Sequence, residues 1–186
     1  MKSPENELDE IVKFNIILRR LKHDYLEIVR NWRNDPEVSR WLISQNQITS
    51  EQQDKWFSSL NGSTQYYYII EYNQELIGLV NLKNYDQSMG SAEGGIFIGN
   101  RSFQNGAIAI EALIAMYDFG FEKLKLNEVI AYIKPENTRA VRLNQSLGFR
   151  KVPCLAIRQD GTELWNLNKQ NYLAATKKLR DFLKQK

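Results

Sequence analysis

Residues 104–109 read Gln-Asn-Gly-Ala-Ile-Ala and lie between a β-like run ending at Ile98 and a long apolar helical pattern. A strand, a small-residue turn and a helix start together make an anion site. The first N–H groups of a helix have no intrahelical partner, the helix dipole favours negative charge there, and small residues let a phosphate approach the backbone. Gln104, Asn105, Gly106, Ala107, Ile108 and Ala109 are therefore candidate phosphate-binding residues. Taken alone, the same six also read as a plain loop and helix start. A second cluster, Trp32-Arg33-Asn34, ends a helical run. Arg33 carries the planar fork that pairs with phosphate, and Trp32 a face that stacks on a base or sugar. The ordinary reading is a helix end with a buried Trp and an exposed Arg. Asn81 and Tyr85 carry groups that hydrogen-bond sugar hydroxyls or face solvent. His23, the one histidine, lies beside a helix start and reads as a surface or capping residue. Cys154, the one cysteine, reads as a small core residue.

The elements that must position these groups follow from pattern. Residues 1–13 carry little pattern and read as a lead-in, and residues 14–18 as an apolar, β-branched strand. Asp24, ahead of Glu27, predicts a capping box for a helix to about Arg33, with Leu26, Val29 and Trp32 on one face. Asn34-Asp35-Pro36 ends it, and Pro36 opens a short second helix. Thr49-Ser50 before Gln52-Gln53 predicts a third helix start, with Trp56, Phe57 and Leu60 as its buried face. Residues 66–72 and 76–82, joined at Asn73-Gln74, predict an antiparallel hairpin, and 86–91 a loop. In the next strand, 92–98, Gly94-Gly95 predicts a bulge or a close backbone approach. A helix over 106–121 and a strand over 128–133 follow. The next helix is capped by Asn137 and closed by Gly148. A hairpin of 149–157 and 163–167 and a basic helix over 172–183 end the chain. The class is α+β: one mixed, mostly antiparallel sheet flanked by helices. A single domain spans 14–171, with the final helix, 172–186, on or beside it.

The stretch from Glu93 to Phe149 resembles the GNAT family of N-acetyltransferases. The family loop is Gln/Arg-x-x-Gly-x-Gly/Ala, followed by a helix that often begins Glu-Ala-Leu. Gln104 fills the first position, Ala109 the last, and Glu111-Ala112-Leu113 follows, while Ala107 stands where the family usually has glycine. Asn137-Thr138-Arg139-Ala140 and Ser146-Leu147-Gly148-Phe149 resemble the family's asparagine-plus-Leu-Gly-Phe signature. The resemblance covers about residues 14–168. It implies a splay between the two central strands, one ending at Ile98 and one over 128–133. The pantetheine arm of acyl-CoA would lie in that gap, beside the backbone of Phe97 and Ile98, contacted by Asn137 and Arg139. Asn137 is equally a plain helix cap.

Amine acylation needs a free amine, a polarised thioester carbonyl and a path for the leaving thiolate. Glu93 resembles the position of the family's catalytic glutamate; the alternatives are a rim carboxylate or a salt bridge. The resemblance places the carbonyl oxygen near a backbone N–H at Ile98. Where the family often has a tyrosine as general acid, this chain has Asn144. Asparagine hydrogen-bonds sulfur or orients water but gives no proton at pH 7. The acid then falls to water or to a tyrosine such as Tyr132 or Tyr85.

The Trp-Arg-Asn-x-Pro-Glu-Val run, Trp56-Phe57 and Ile-Gly-x-Val-Asn-Leu at 77–82 look like bacterial acyltransferases of nucleotide-linked amino sugars, of the pseudaminic-acid pathway type. The resemblance thus implies transfer of an acetyl or short hydroxyacyl group to a nucleotide-sugar amine in a ternary complex, without a metal. It implies an acceptor site formed by Trp32, Arg33, Asn34, Asn81 and Tyr85. The alternatives are acetylation of a protein N-terminus, of the ribosomal-protein type, or a non-catalytic acyl-CoA-binding module.

Bulk properties bound these readings. The 186 residues are 42% hydrophobic and 25% charged, which suits one globular domain with a sizeable core. A net charge of +3 is too small to argue for nucleic acid. No apolar run reaches membrane-span length, and the polar start is unlike a signal peptide, so a cytoplasmic location is the expectation. Lys177, Lys178, Arg180, Lys184 and Lys186 read as a solvated helix face; a homodimer contact or a membrane surface are the other readings.

Overall fold

The computed structural model describes residues 9–104, 108–153 and 160–184. It begins with a hairpin. β1 (Glu10–Lys13) and β2 (Ile16–Arg20) pair antiparallel around Phe14, whose φ is +53°. The sheet therefore starts within the stretch expected as a lead-in, because Ile11 packs on the core and gives β1 a buried face. A 3-10 turn at His23–Tyr25 precedes α1 (Leu26–Asn34), whose N-cap is Tyr25 with no side-chain cap bond. The capping box expected from Asp24 and Glu27 is absent: the turn displaces the helix start, and Glu27 pairs with Arg30 at 2.6 Å. Asp35 caps α2 (Pro36–Ser39) by accepting from Glu37 N–H. Thr49 and Gln52 form the expected capping box at α3 (Ser50–Ser58). Trp56, Phe57 and Leu60 are only half-buried, and the buried side chain of α3 is Gln53.

β3 (Tyr66–Tyr72) and β4 (Glu75–Asp86) form the expected hairpin, with Asn73 and Gln74 both at positive φ. β4 extends through Asp86, beyond its expected end. Its ladder shifts register twice, once at Ile70/Glu71 and once between Lys83 and Asp86, where Asn84 has φ +53°. β5 (Ser91–Ile98) pairs regularly across Gly94-Gly95, so the bulge expected there is on β4 instead. The close approach at the two glycines is made by side chains. An added Cβ at Gly94 would lie 2.7 Å from Tyr117 Oη, and one at Gly95 would lie 3.1 Å from Asn81 Nδ2.

α4 (Ile108–Glu122), β6 (Glu128–Ile133) and α5 (Thr138–Ser146) follow. Asn137 caps α5 by accepting from Ala140 N–H at 3.0 Å. Gly148, at φ +97°, ends the helix as expected. β7 (Arg150–Lys151), β8 (Glu163–Asn168) and α6 (Lys169–Leu183) complete the chain; Cys154 lies outside the described residues.

Among the described residues the sheet has eight strands, in the order β1-β2-β3-β4-β5-β6-β8-β7. Among the described residues only β5 and β6 pair parallel, at three positions: Ser91 with Glu128, Ala92 with Val129, and Glu93 with Ile130. Beyond Glu93 the strands diverge, which is the expected splay. Apolar side chains fill both faces. Tyr68, Ile70, Val80 and Leu82 meet α4 on one face; Ile69 and Leu79 meet Leu26 and Val29 of α1 on the other.

The final helix is fastened rather than merely solvated. Arg180 turns inward to Asp118 of α4 at 2.5 and 2.8 Å, and Lys13 of β1 pairs with the same carboxylate. Tyr172 Oη donates to it at 2.8 Å. Burial acts to raise the Asp118 carboxyl, but the Arg180, Lys13 and Tyr172 hydrogen bonds outweigh it and hold it below the usual carboxylate range. Lys177, Lys178 and Lys184 are exposed, as expected of the basic face.

Candidate active site

Strand alternation decides which side chains share a face. On the α1 side, Tyr67, Asn81 and Gly95 stand in one cross-strand row, and Lys83 and Glu93 face each other across β4 and β5. The register therefore delivers the ion pair between Lys83 Nζ and Glu93, at 2.7 Å. Asn84 Nδ2 donates to the same carboxylate at 3.1 Å. Glu93 is also the last residue of β5 that pairs with β6, so it stands at the fork of the splay.

A cleft of about 780 Å³ runs from this face through the fork to the starts of α4 and α5. A smaller cavity of about 420 Å³ adjoins it at Lys83, Glu93 and Tyr132. Gly95 has no side chain to cover Asn81, so the Asn81 amide opens into the cleft, and its buried Oδ1 has no hydrogen-bond partner. Arg33 enters from the last turn of α1. Its Nε is buried without a partner, and among the described residues no carboxylate pairs with it. Burial lowers the Arg33 guanidinium from its usual value, yet it stays charged at neutral pH. Tyr67, whose ring meets Trp56 edge-on at 5.2 Å, has its hydroxyl pushed up to about 12, by burial first and then by Glu93.

The structure brings together most of the residues singled out in the sequence. Arg33, Asn81, Glu93, Phe97, Ile98, Gln104, Ala109, Asn137, Arg139 and Asn144 all line the cleft. Gln104 Nε2 donates to Ile98 O at 3.2 Å and so ties itself back to the end of β5. Asn144 is buried and donates to Ala140 O within its own helix at 2.8 Å. Asn105, Gly106 and Ala107 lie outside the described residues.

Three assignments change. Trp32 does not line the cleft: its ring packs against Gly99, where an added Cβ would sit 2.1 Å away, and meets Phe97 edge-on. Asn34 clamps the following loop, accepting from Ile48 N and donating to Ile48 O, both at 2.9 Å. Tyr85 donates to Leu124 O at 2.9 Å and packs on Tyr66, away from the fork. Ile108, at the first position of α4, packs its side chain on the core, which leaves only its backbone for the helix-start reading. His23 is exposed beside Asp54, as expected of a surface residue.

Other lining residues carried no motif. Trp41 and Ile43, from the loop after α2, form an apolar rim. Lys134 is buried at the end of β6 and donates to Arg40 O at 2.9 Å, which ties that loop over the cleft. Tyr117 reaches the cleft from α4. The signal for Tyr117 was Gly94, which leaves space on the α4 side of β5.

The cleft suits a long, extended thioester ligand. Beyond Glu93, the edges of β5 and β6 are open to one another, and the cleft reaches the first turns of α4 and α5, where the helix dipole favours an anion. The acetyltransferase (GNAT) domain model matches residues 15–150. The chain belongs to the GNAT acetyltransferase family. An uncharacterized N-acetyltransferase p20 from Bacillus licheniformis is 30% identical over 142 residues, covering 73% of this chain and 79% of that protein. The Escherichia coli spermidine N(1)-acetyltransferase is 26% identical and acetyltransferase PseH of Campylobacter jejuni 25%, covering 73% and 69% of this chain and 73% and 79% of those proteins. The eight-stranded sheet is the GNAT fold. It is shared with the Vibrio cholerae spermidine N-acetyltransferase seen with CoA and spermine, at TM-score 0.75 and 22% identity over 86% of this chain and 98% of that one. This GNAT protein is an acyl-CoA-dependent N-acyltransferase. Among the described residues no group of His, Cys, Asp or Glu is placed to hold a metal, and no helix is long and apolar enough to cross a membrane.

Proposed function

We propose that this enzyme acylates the amine of an anionic small molecule, a nucleotide-linked amino-deoxy sugar, from acetyl-CoA or a short acyl-CoA. The observation that carries this is Arg33: a half-buried cation with no carboxylate partner among the described residues and a buried Nε without a hydrogen bond, lining the same cleft as the Asn81 amide. An acceptor phosphate supplies the missing partner, since charge-assisted hydrogen bonds to arginine are strong and bidentate. Asn81 then takes a sugar hydroxyl. The balance of charge agrees. Arg33, Arg40, Lys83, Lys134 and Arg139 line the cleft against Glu37, Glu93 and Glu136, and Lys83 and Arg40 already neutralise Glu93 and Glu37. A polyamine, the substrate named for the spermidine acetyltransferase relatives, would meet net repulsion there.

Within this reading, Glu93 accepts the proton of the attacking amine, with Lys83 and Asn84 fixing its carboxylate. Gln104 and the first turn of α4 hold the pyrophosphate of CoA, and Asn137 and Arg139 flank its pantetheine arm. A backbone N–H near Ile98 polarises the thioester carbonyl. The test is free-CoA release with several acyl-CoAs against dTDP- and UDP-linked amino sugars, spermidine and ribosomal N-terminal peptides. Turnover confined to spermidine or to peptides overturns the acceptor assignment. CoA binding without turnover on any acceptor makes the chain a binding module.

A further inference from the structure

The usual tyrosine on the helix after the fork is replaced here by Asn144, whose amide already donates to its own helix. A different phenol reaches the fork from the opposite layer. Tyr117 lies in the third turn of α4, fully buried, with its ring against Phe149 and Tyr172. Its hydroxyl points at Gly94, the residue after Glu93, where an added Cβ would stand 2.7 Å from it. Gly94 therefore acts as a window: the hydroxyl comes up against bare backbone where β5 and β6 part. Tyr117, Gly94 and Asn144 line the same cleft. Among the described residues the hydroxyl has no hydrogen-bond partner, whereas Tyr172, the neighbouring buried phenol, is fully bonded. The Tyr117 hydroxyl borders the cleft and is free to donate to a ligand atom that enters the fork.

We propose that the Tyr117 hydroxyl is the hydrogen-bond donor for the sulfur of CoA, steadying the thiolate as it leaves. The amine nitrogen forms its bond to the carbonyl carbon, the carbon–sulfur bond breaks, and the electron pair stays on sulfur under the Tyr117 O–H. Glu93 receives the amine proton and passes it to water, and the thiolate takes a proton from water on release, so no proton leaves tyrosine. Burial raises the Tyr117 hydroxyl above its ordinary value, which keeps it a donor. The inference rests on the thioester lying at the fork and is independent of the acceptor.

The test is a binding cycle that needs no acceptor. CoA and desulfo-CoA, which lacks the sulfur, are titrated calorimetrically into wild type and Tyr117→Phe at a pH where the thiol is ionised. A hydrogen bond to a charged group is worth about 1.5–3 kcal/mol, so Tyr117→Phe should weaken CoA about 10-fold or more and leave desulfo-CoA unchanged. Equal weakening of both ligands, or of neither, overturns the proposal. If neither ligand binds wild type, the acyl-CoA site itself is misplaced, which is a separate result. Basal acetyl-CoA hydrolysis should fall at least 10-fold in Tyr117→Phe, with the melting temperature unchanged; unchanged hydrolysis also overturns it.

Discussion

Arg33→Met separates what this residue does for the fold from what it does for the acceptor. Methionine keeps the length of the side chain and removes the buried, unpartnered Nε. Leaving a buried N–H unsatisfied costs about 1–3 kcal/mol, and the substitution removes that cost. It also removes a cation from the last turn of α1, where the helix dipole favours it by about 0.3–1 kcal/mol. The net effect is a gain of about 1 kcal/mol, a rise in melting temperature of about 2–4 °C for a chain of this size. Acceptor binding moves the other way. Loss of a charge-assisted contact worth about 1.5–3 kcal/mol raises the acceptor KM about 10- to 150-fold, with the KM for acyl-CoA unchanged. Thermal unfolding and steady-state kinetics on the same preparation read both effects. Arg33→Lys, which keeps the charge and loses the fork, should fall between. A stability drop of several degrees would show that Arg33 has a partner in the folded protein. An unchanged acceptor KM would remove it from the acceptor site.

Glu93→Gln should lower kcat about 10²- to 10⁴-fold while calorimetric CoA binding is preserved; full turnover would leave Glu93 as only the partner of Lys83. Asp118→Asn breaks a buried ion-pair cluster and should cost about 3 kcal/mol at neutral pH. Because the folded Asp118 carboxyl is held below its unfolded value near about 4, its contribution is present above that pH and is lost as pH falls further. The gap in melting temperature between wild type and Asp118→Asn should therefore narrow below about pH 4, and a constant gap down to pH 3 would contradict this. Gly99→Ala forces Trp32 off the end of β5, because the new Cβ would lie 2.1 Å from Trp32 Cγ; a loss of about 1–3 kcal/mol follows, measured by denaturant unfolding.

Much of the scaffold was legible because it is written in local chemistry. Thr49 and Gln52 cap α3, Asn73 and Gln74 turn the β3–β4 hairpin, and Asn137 and Gly148 bound α5, each through groups a few residues apart. Trp32, Asn34 and Tyr85 were misread because side-chain direction is set by distant partners: Gly99, Ile48 and Leu124. Tyr117 and Lys134 were missed because their significance lies in what surrounds them, not in any motif they belong to.

The sequence by itself determined the carboxylate at the end of the β5–β6 pairing, the helix that follows Asn137, and the order of the elements. Only the tertiary structure decided which polar groups share the cleft. A simple two-residue hairpin would set Val80 opposite Tyr67. The register shift at Ile70/Glu71 moves the ladder by one residue and sets Asn81 there instead. Because strand faces alternate every residue, a one-residue slip would turn Asn81 to the α4 side and away from Arg33.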